Sequence, residues 1–179
     1  MILSLHPLTV LDASPRELID FAHRLGVASV CLFTHVPEAG AGRYPLVARD
    51  DVAGLHSLLW EVGITLSNLE VFPLDRTGPR DDLDAGLAIG AALGASRATA
   101  HLHDLSSEQE GVDRFAEFAG RAATHGIVAG LEFNNFSAVA ISQAPNGSSA
   151  RPVGDRWCST CFTRCAAARR HAMSRGPRT

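Results

Sequence analysis

Gly126-Ile127-Val128-Ala129-Gly130-Leu131-Glu132-Phe133 is the stretch whose reading decides the fold. A helix-ending glycine opens it, β-branched residues follow at once, and Asn134-Asn135 closes it. A short, continuous apolar run of this kind reads as a buried parallel strand. Its one charge, Glu132, stands at the C-terminal end, where parallel α/β folds gather their chemistry. A carboxylate there is costly unless it is paired or holds a cation. Glu132 is therefore a candidate metal ligand, set against the plainer reading of a salt-bridged strand end.

The same unit recurs upstream. Ile2 to Leu5, Val27 to Phe33, Ile64 to Val71 and Arg97 to Leu102 read as four earlier strands. Between them lie amphipathic helices. Ser14-Pro15-Arg16-Glu17 and Ser107-Glu108-Gln109-Glu110 are capping boxes that start two of these, and Asp50 or Asp51 starts another. The first helix turns Leu18, Ile19, Phe21, Ala22 and Leu25 inward. Gly26, Gly63, Gly94 and Gly126 end the helices at intervals of 31 to 37 residues, close to one βα unit of a barrel. A doubly wound sheet would also alternate strand and helix. Its Gly-rich phosphate turn, however, is replaced after the first strand by His6-Pro7-Leu8-Thr9. The expected fold is an α/β parallel barrel, cut short after about five βα units.

In such a barrel the strand ends converge on one face. Here they offer His6, Thr34 or His35, Glu70, His101 or His103, and Glu132, with Asn68 and Glu70 on one side of the third strand by period-two alternation. Carboxylate oxygen and imidazole nitrogen together suit Mn²⁺, Mg²⁺, Co²⁺ or Zn²⁺. Such an ion polarises a carbonyl or hydroxyl while a second carboxylate moves a proton.

The opening Leu3-Ser4-Leu5-His6-Pro7, Leu69-Glu70 at the end of the third strand, and Gly130-Leu131-Glu132-Phe133 in the fifth resemble the xylose-isomerase-like TIM barrels. That superfamily holds sugar and sugar-phosphate isomerases and epimerases and the related endonuclease IV group. The resemblance runs from Met1 to about Val139. It implies that Glu132 is the fifth-strand glutamate that ligates a divalent metal, and that His6, Glu70 and His103, with His101 beside it, line a pocket for a sugar or small polyol. It also implies further ligands on the sixth to eighth strands, an Asp and a His on the sixth among them.

Composition narrows the alternatives. The chain has 179 residues, 46% hydrophobic and 20% charged, with a net charge of −3. No nucleic-acid partner is expected, because an endonuclease IV-like repair enzyme, the runner-up, would need a basic face. No run approaches membrane-spanning length, and the N-terminus lacks a signal-peptide pattern, so a cytoplasmic protein is expected. A non-enzymatic barrel remnant is the third reading.

After residue 140 the texture changes. Residues 141–179 hold seven arginines against one acid and show neither helical nor strand period. Cys158, Cys161 and Cys165 with His171 fit no common zinc-finger spacing. The arginines lack the interleaved stacking residues of an RNA-binding tail. A frameshift near Ala140 accounts for the change better. Reading each codon one base earlier permits a Val-Ala-Asp-Leu-Ala-Ser helix start. It also permits, across Trp157 to Thr163, a Val-Val-Leu-Asp-Leu-Leu-His strand bearing the missing Asp and His. The sequence as it stands thus predicts a partial barrel over 1–140, an irregular tail, weak or absent metal binding, impaired activity and self-association through exposed strand edges.

Overall fold

The computed structural model describes residues 3–36, 42–74, 81–103 and 105–132. The tail, and the frameshift expected near Ala140, lie outside them. Five strands form one sheet: β1 (Ser4–Leu5), β2 (Ser29–Phe33), β3 (Thr65–Pro73), β4 (Arg97–His101) and β5 (Val128–Leu131). Every pair is parallel and the order is β1-β2-β3-β4-β5. A doubly wound sheet reverses its strand order at a switch point, whereas a barrel lays each strand beside the one before it. This order is that of a barrel sector.

Four helices connect the strands: α1 (Pro15–Leu25), α2 (Val52–Val62), α3 (Asp81–Ala92) and α4 (Glu108–Thr124). Among the described residues none is long and apolar enough to cross a membrane. The α1 start is as expected. Ser14 Oγ accepts from the Glu17 N–H, and the Glu17 carboxylate accepts from the Ser14 N–H in return. At α4 only half of the expected box forms. Ser107 Oγ accepts from the Glu110 N–H, but the Glu110 carboxylate reaches back to the Ser106 N–H and hydroxyl instead. Gly26, Gly63, Gly94 and Gly126 all have positive φ, between 69° and 78°. In that conformation a side chain is strained, and the chain can leave a helix and turn straight into the next strand.

Helices cover one face of the sheet. Leu32, Leu69, Phe72, Leu102 and Ile127 from the strand segments meet Leu18, Ile19, Leu59, Leu87 and Phe118 from the helices in one buried core. Fully burying each large side chain contributes about 1.5–3 kcal/mol. Leu25, expected inward on α1, is exposed instead, at the last residue of the helix before the Gly26 cap.

Two bulges shape β3. Val30 pairs with Leu66 but Cys31 with Asn68, so Ser67 is an extra residue on β3. Leu69 pairs with Ala98 and Phe72 with Ala100, a second irregularity. An inserted residue interrupts the strict alternation of faces. That is why Leu69 and Phe72, three apart, are both buried against the helices, and why Ser67 and Asn68 both engage partners on the opposite face.

Candidate functional site

The face of the sheet that no described helix covers carries the polar residues. Near its lower end the Ser4 hydroxyl lies 2.8 Å from that of Ser67 and 3.7 Å from Cys31 Sγ. Asn68 Nδ2 donates to Thr99 Oγ1 at 2.8 Å, tying β3 to β4. Above them, towards the C-terminal ends of the strands, sit His6, Glu70, His101 and Glu132.

His6 owes its position to a sharp exit from β1. Its ring caps the 3₁₀ turn Pro7–Thr9, with Nδ1 accepting from the Leu8 N–H at 3.1 Å. A neutral ring so held carries its proton on Nε2, and Nε2 faces Glu70 Oε1 at 3.5 Å. Glu70 is 7% exposed, so its carboxylate needs partners. Asn68 Nδ2 supplies one, donating to the same Oε1 at 2.6 Å. One oxygen of Glu70 is thus held from two sides, while the other has no hydrogen-bond partner among the described residues.

On the next strands His101 Nε2 lies 3.1 Å from Glu132 Oε2. Glu132 is half exposed and its backbone N–H is tied to the Ala100 carbonyl. Ligand atoms of Glu70, His101 and Glu132 all lie within 4.8 Å of one another. Two carboxylates and an imidazole suit a divalent ion of the Mn²⁺, Mg²⁺, Co²⁺ or Zn²⁺ kind. His103 stands edge-on to His101, with ring centroids 5.4 Å apart. It belongs beside this group and outside its donor triangle.

The second strand departs from expectation. His35 turns to the helix side, where it stacks on Phe72 and its Nδ1 lies 3.1 Å from the Val71 carbonyl. Burial lowers its pKa, which keeps the ring neutral. Thr34 is buried, and its hydroxyl has no partner among the described residues. Neither joins the donor group, because β2 presents Cys31 and Phe33 to the open face instead. Cys31 is the residue that strand-end reasoning missed, since it lies two residues before the end of β2. Burial raises its thiol pKa, against the pull of the Ser4 and Ser67 hydroxyls.

No family model matches the chain, and no curated protein matches it. Solved structures do. A xylose isomerase domain containing protein from Salmonella typhimurium LT2 superposes with a TM-score of 0.65 at 13% identity, over 91% of this chain and 56% of its own. The chain has the xylose-isomerase-like fold. The D-allulose 3-epimerase from Methylomonas sp., solved in complex with D-allulose, gives a TM-score of 0.62 at 17% identity, covering 91% of this chain and 58% of the epimerase. A sugar phosphate isomerase/epimerase from Parabacteroides distasonis ATCC 8503 gives 0.60 at 14%, covering 92% and 63%. The chain therefore spans between about half and two thirds of the length of the proteins it superposes on.

Proposed function

We propose that this chain carries the metal-binding and proton-transfer half of a sugar or sugar-phosphate isomerase or epimerase. The observation behind the proposal is the meeting within 4.8 Å of Glu70 in the C-terminal half of β3, His101 at the end of β4 and Glu132 just past β5, on three adjacent parallel strands. The D-allulose complex of the Methylomonas epimerase adds a sugar ligand on a similar fold.

Glu132, with His101 beside it, would hold the divalent ion, which when bound supplies a Lewis acid for a substrate carbonyl or hydroxyl oxygen. Glu70 serves as the base. The proton on a carbon next to the sugar carbonyl passes to its unengaged oxygen, while Asn68 and His6 keep the other oxygen fixed as an acceptor. Protonation of the resulting enediolate from the opposite side, at the same carbon and by a solvent-derived proton, gives the epimer. Protonation at the neighbouring carbon after Glu70 exchanges with solvent, with the hydroxyl proton passing from one oxygen to the other, gives the aldose–ketose isomer. His6 and His103 contribute donors for substrate hydroxyls.

The test is incubation of the purified chain with a panel of ketoses and their phosphates in D₂O with Mn²⁺ or Co²⁺. Epimer or isomer should form with deuterium at the reacting carbon. Glu70→Gln should slow that exchange by about 10²–10⁴-fold, the usual weight of a general base, and Glu132→Gln should raise the metal concentration required. Turnover unchanged in both variants would refute the assignment.

A further inference from the structure

We propose that His6, Cys31 and Glu70 form a second divalent-cation site, one that prefers a thiophilic ion of the zinc or cobalt kind. One ligand atom from each lies within 4.8 Å of the other two. Zn²⁺ bonds of about 2.0–2.3 Å place two tetrahedral ligands about 3.3–3.8 Å apart. His6 Nε2 and Glu70 Oε1 already have that spacing at 3.5 Å, and the remaining gaps close with movements of roughly an ångström.

The three side chains come with outer partners in place. The Ser4 hydroxyl lies 3.7 Å from Cys31 Sγ, where it can donate to a thiolate, and that of Ser67, which donates to the Val30 carbonyl, lies 3.9 Å away. Asn68 fixes the Glu70 carboxylate. Partners of this kind orient ligands and raise affinity. Cys31 and Glu70 are buried while the His6 side chain is a third exposed, so the ion's route in, and its fourth coordination position, lie on the His6 side. A thiolate donor selects Zn²⁺ and Co²⁺ over Mg²⁺ and Mn²⁺. The Glu132–His101 pair that would hold the catalytic ion contains no sulfur, so the two sites differ in the ions they favour.

Binding has a structural consequence. An ion on His6 Nε2 moves the ring proton to Nδ1, which now accepts from the Leu8 N–H. Two donors cannot face each other, so the Leu8 N–H, at an exposed position, must turn to water. The site does not depend on the proposed catalysis, and its test reads no turnover.

Cys158, Cys161 and Cys165 are first replaced by serine in the full chain, leaving Cys31 as the single thiol. Co²⁺ titration should give one thiolate-to-cobalt charge-transfer band at about one ion per chain, together with a shift of the Leu8 amide resonance. Cys31→Ser should abolish the band and Glu132→Gln should leave it. His6→Gln, a milder change should Cys31→Ser fail to fold, should weaken Co²⁺ binding by more than the 10- to 100-fold typical of losing an outer partner. Absence of Co²⁺ binding, binding without the band, or a band that His6→Gln leaves intact would overturn the proposal. So would a band that disappears with Glu132→Gln.

Discussion

Asn68 is the residue on which the polar face turns. One amide group donates to Glu70 and to Thr99, so it neutralises nothing yet holds a buried carboxylate in place. Asn68→Asp replaces that donor with a second carboxylate facing the first, and like charges at such spacing cannot both ionise comfortably. The variant should lose about 1–3 kcal/mol, the range for leaving a buried polar group unsatisfied, read as a lower urea midpoint at neutral pH. It should recover part of that loss as the pH is lowered and one of the two carboxyls protonates. Asn68→Ala, which removes the donor without adding a charge, should show a smaller recovery. A neutral-pH midpoint for Asn68→Asp equal to that of the parent would show that the contact is not a determinant of Glu70.

At the scale of elements, α3 and α4 each depend on one local choice. Gly90 of α3 lies against Leu69, and a Cβ at that position would overlap the leucine side chain. Alanine has the better helix propensity by about 1 kcal/mol, but overpacking a filled core costs about 1–3 kcal/mol, and Leu69 is wholly buried. Gly90→Ala should therefore lower the thermal midpoint, whereas Gly120→Ala in α4, where nothing would be met, should raise it. The start of α4 supplies a pH test. The Ser106 hydroxyl and N–H, and Arg114 beside them, hold the Glu110 carboxyl down at about 2. Its folded value lies below its unfolded value, so its stabilisation is complete above the ordinary carboxylate range and fades as pH falls towards 2. Glu110→Gln should flatten that part of the acid-denaturation curve. These starts and stops were legible in the sequence, since Ser14, Ser107 and the four helix-ending glycines act through bonds to residues a few positions away. The bulges of β3 were not. Nothing local at Ser67 announces an extra residue, because the bulge exists only against the register of β2, and the second one exchanges Val71 for Phe72 in the core for the same reason.

In the whole molecule, the site was legible as far as strand direction decides it. His6, Glu70, His101 and Glu132 face one another because parallel strands in sequential order end on one side. Which residue of β2 joins them was not legible, since His35 is claimed by Phe72 and the α3 side of the sheet, leaving Cys31 on the open face. The same parallel order leaves a question at the sheet's margins. Among the described residues β1 pairs only with β2, and β5 only with β4. An unpaired edge presents free N–H and C=O groups to any strand that approaches, and closure of the barrel is what ordinarily removes it. On β5 the burial alternates between exposed and half-buried, and Val128 is 51% exposed, so this edge combines free backbone with an apolar side chain and no charge. We expect the chain to associate with itself along it, with sedimentation velocity showing larger species as concentration rises. Val128→Lys places a charge where natural edges carry one. At a half-exposed position it should change stability by less than about 0.5 kcal/mol while shifting the distribution towards monomer. A monomer at every concentration, with Val128→Lys indistinguishable from the parent, would mean that residues outside the described segments already cover the edge.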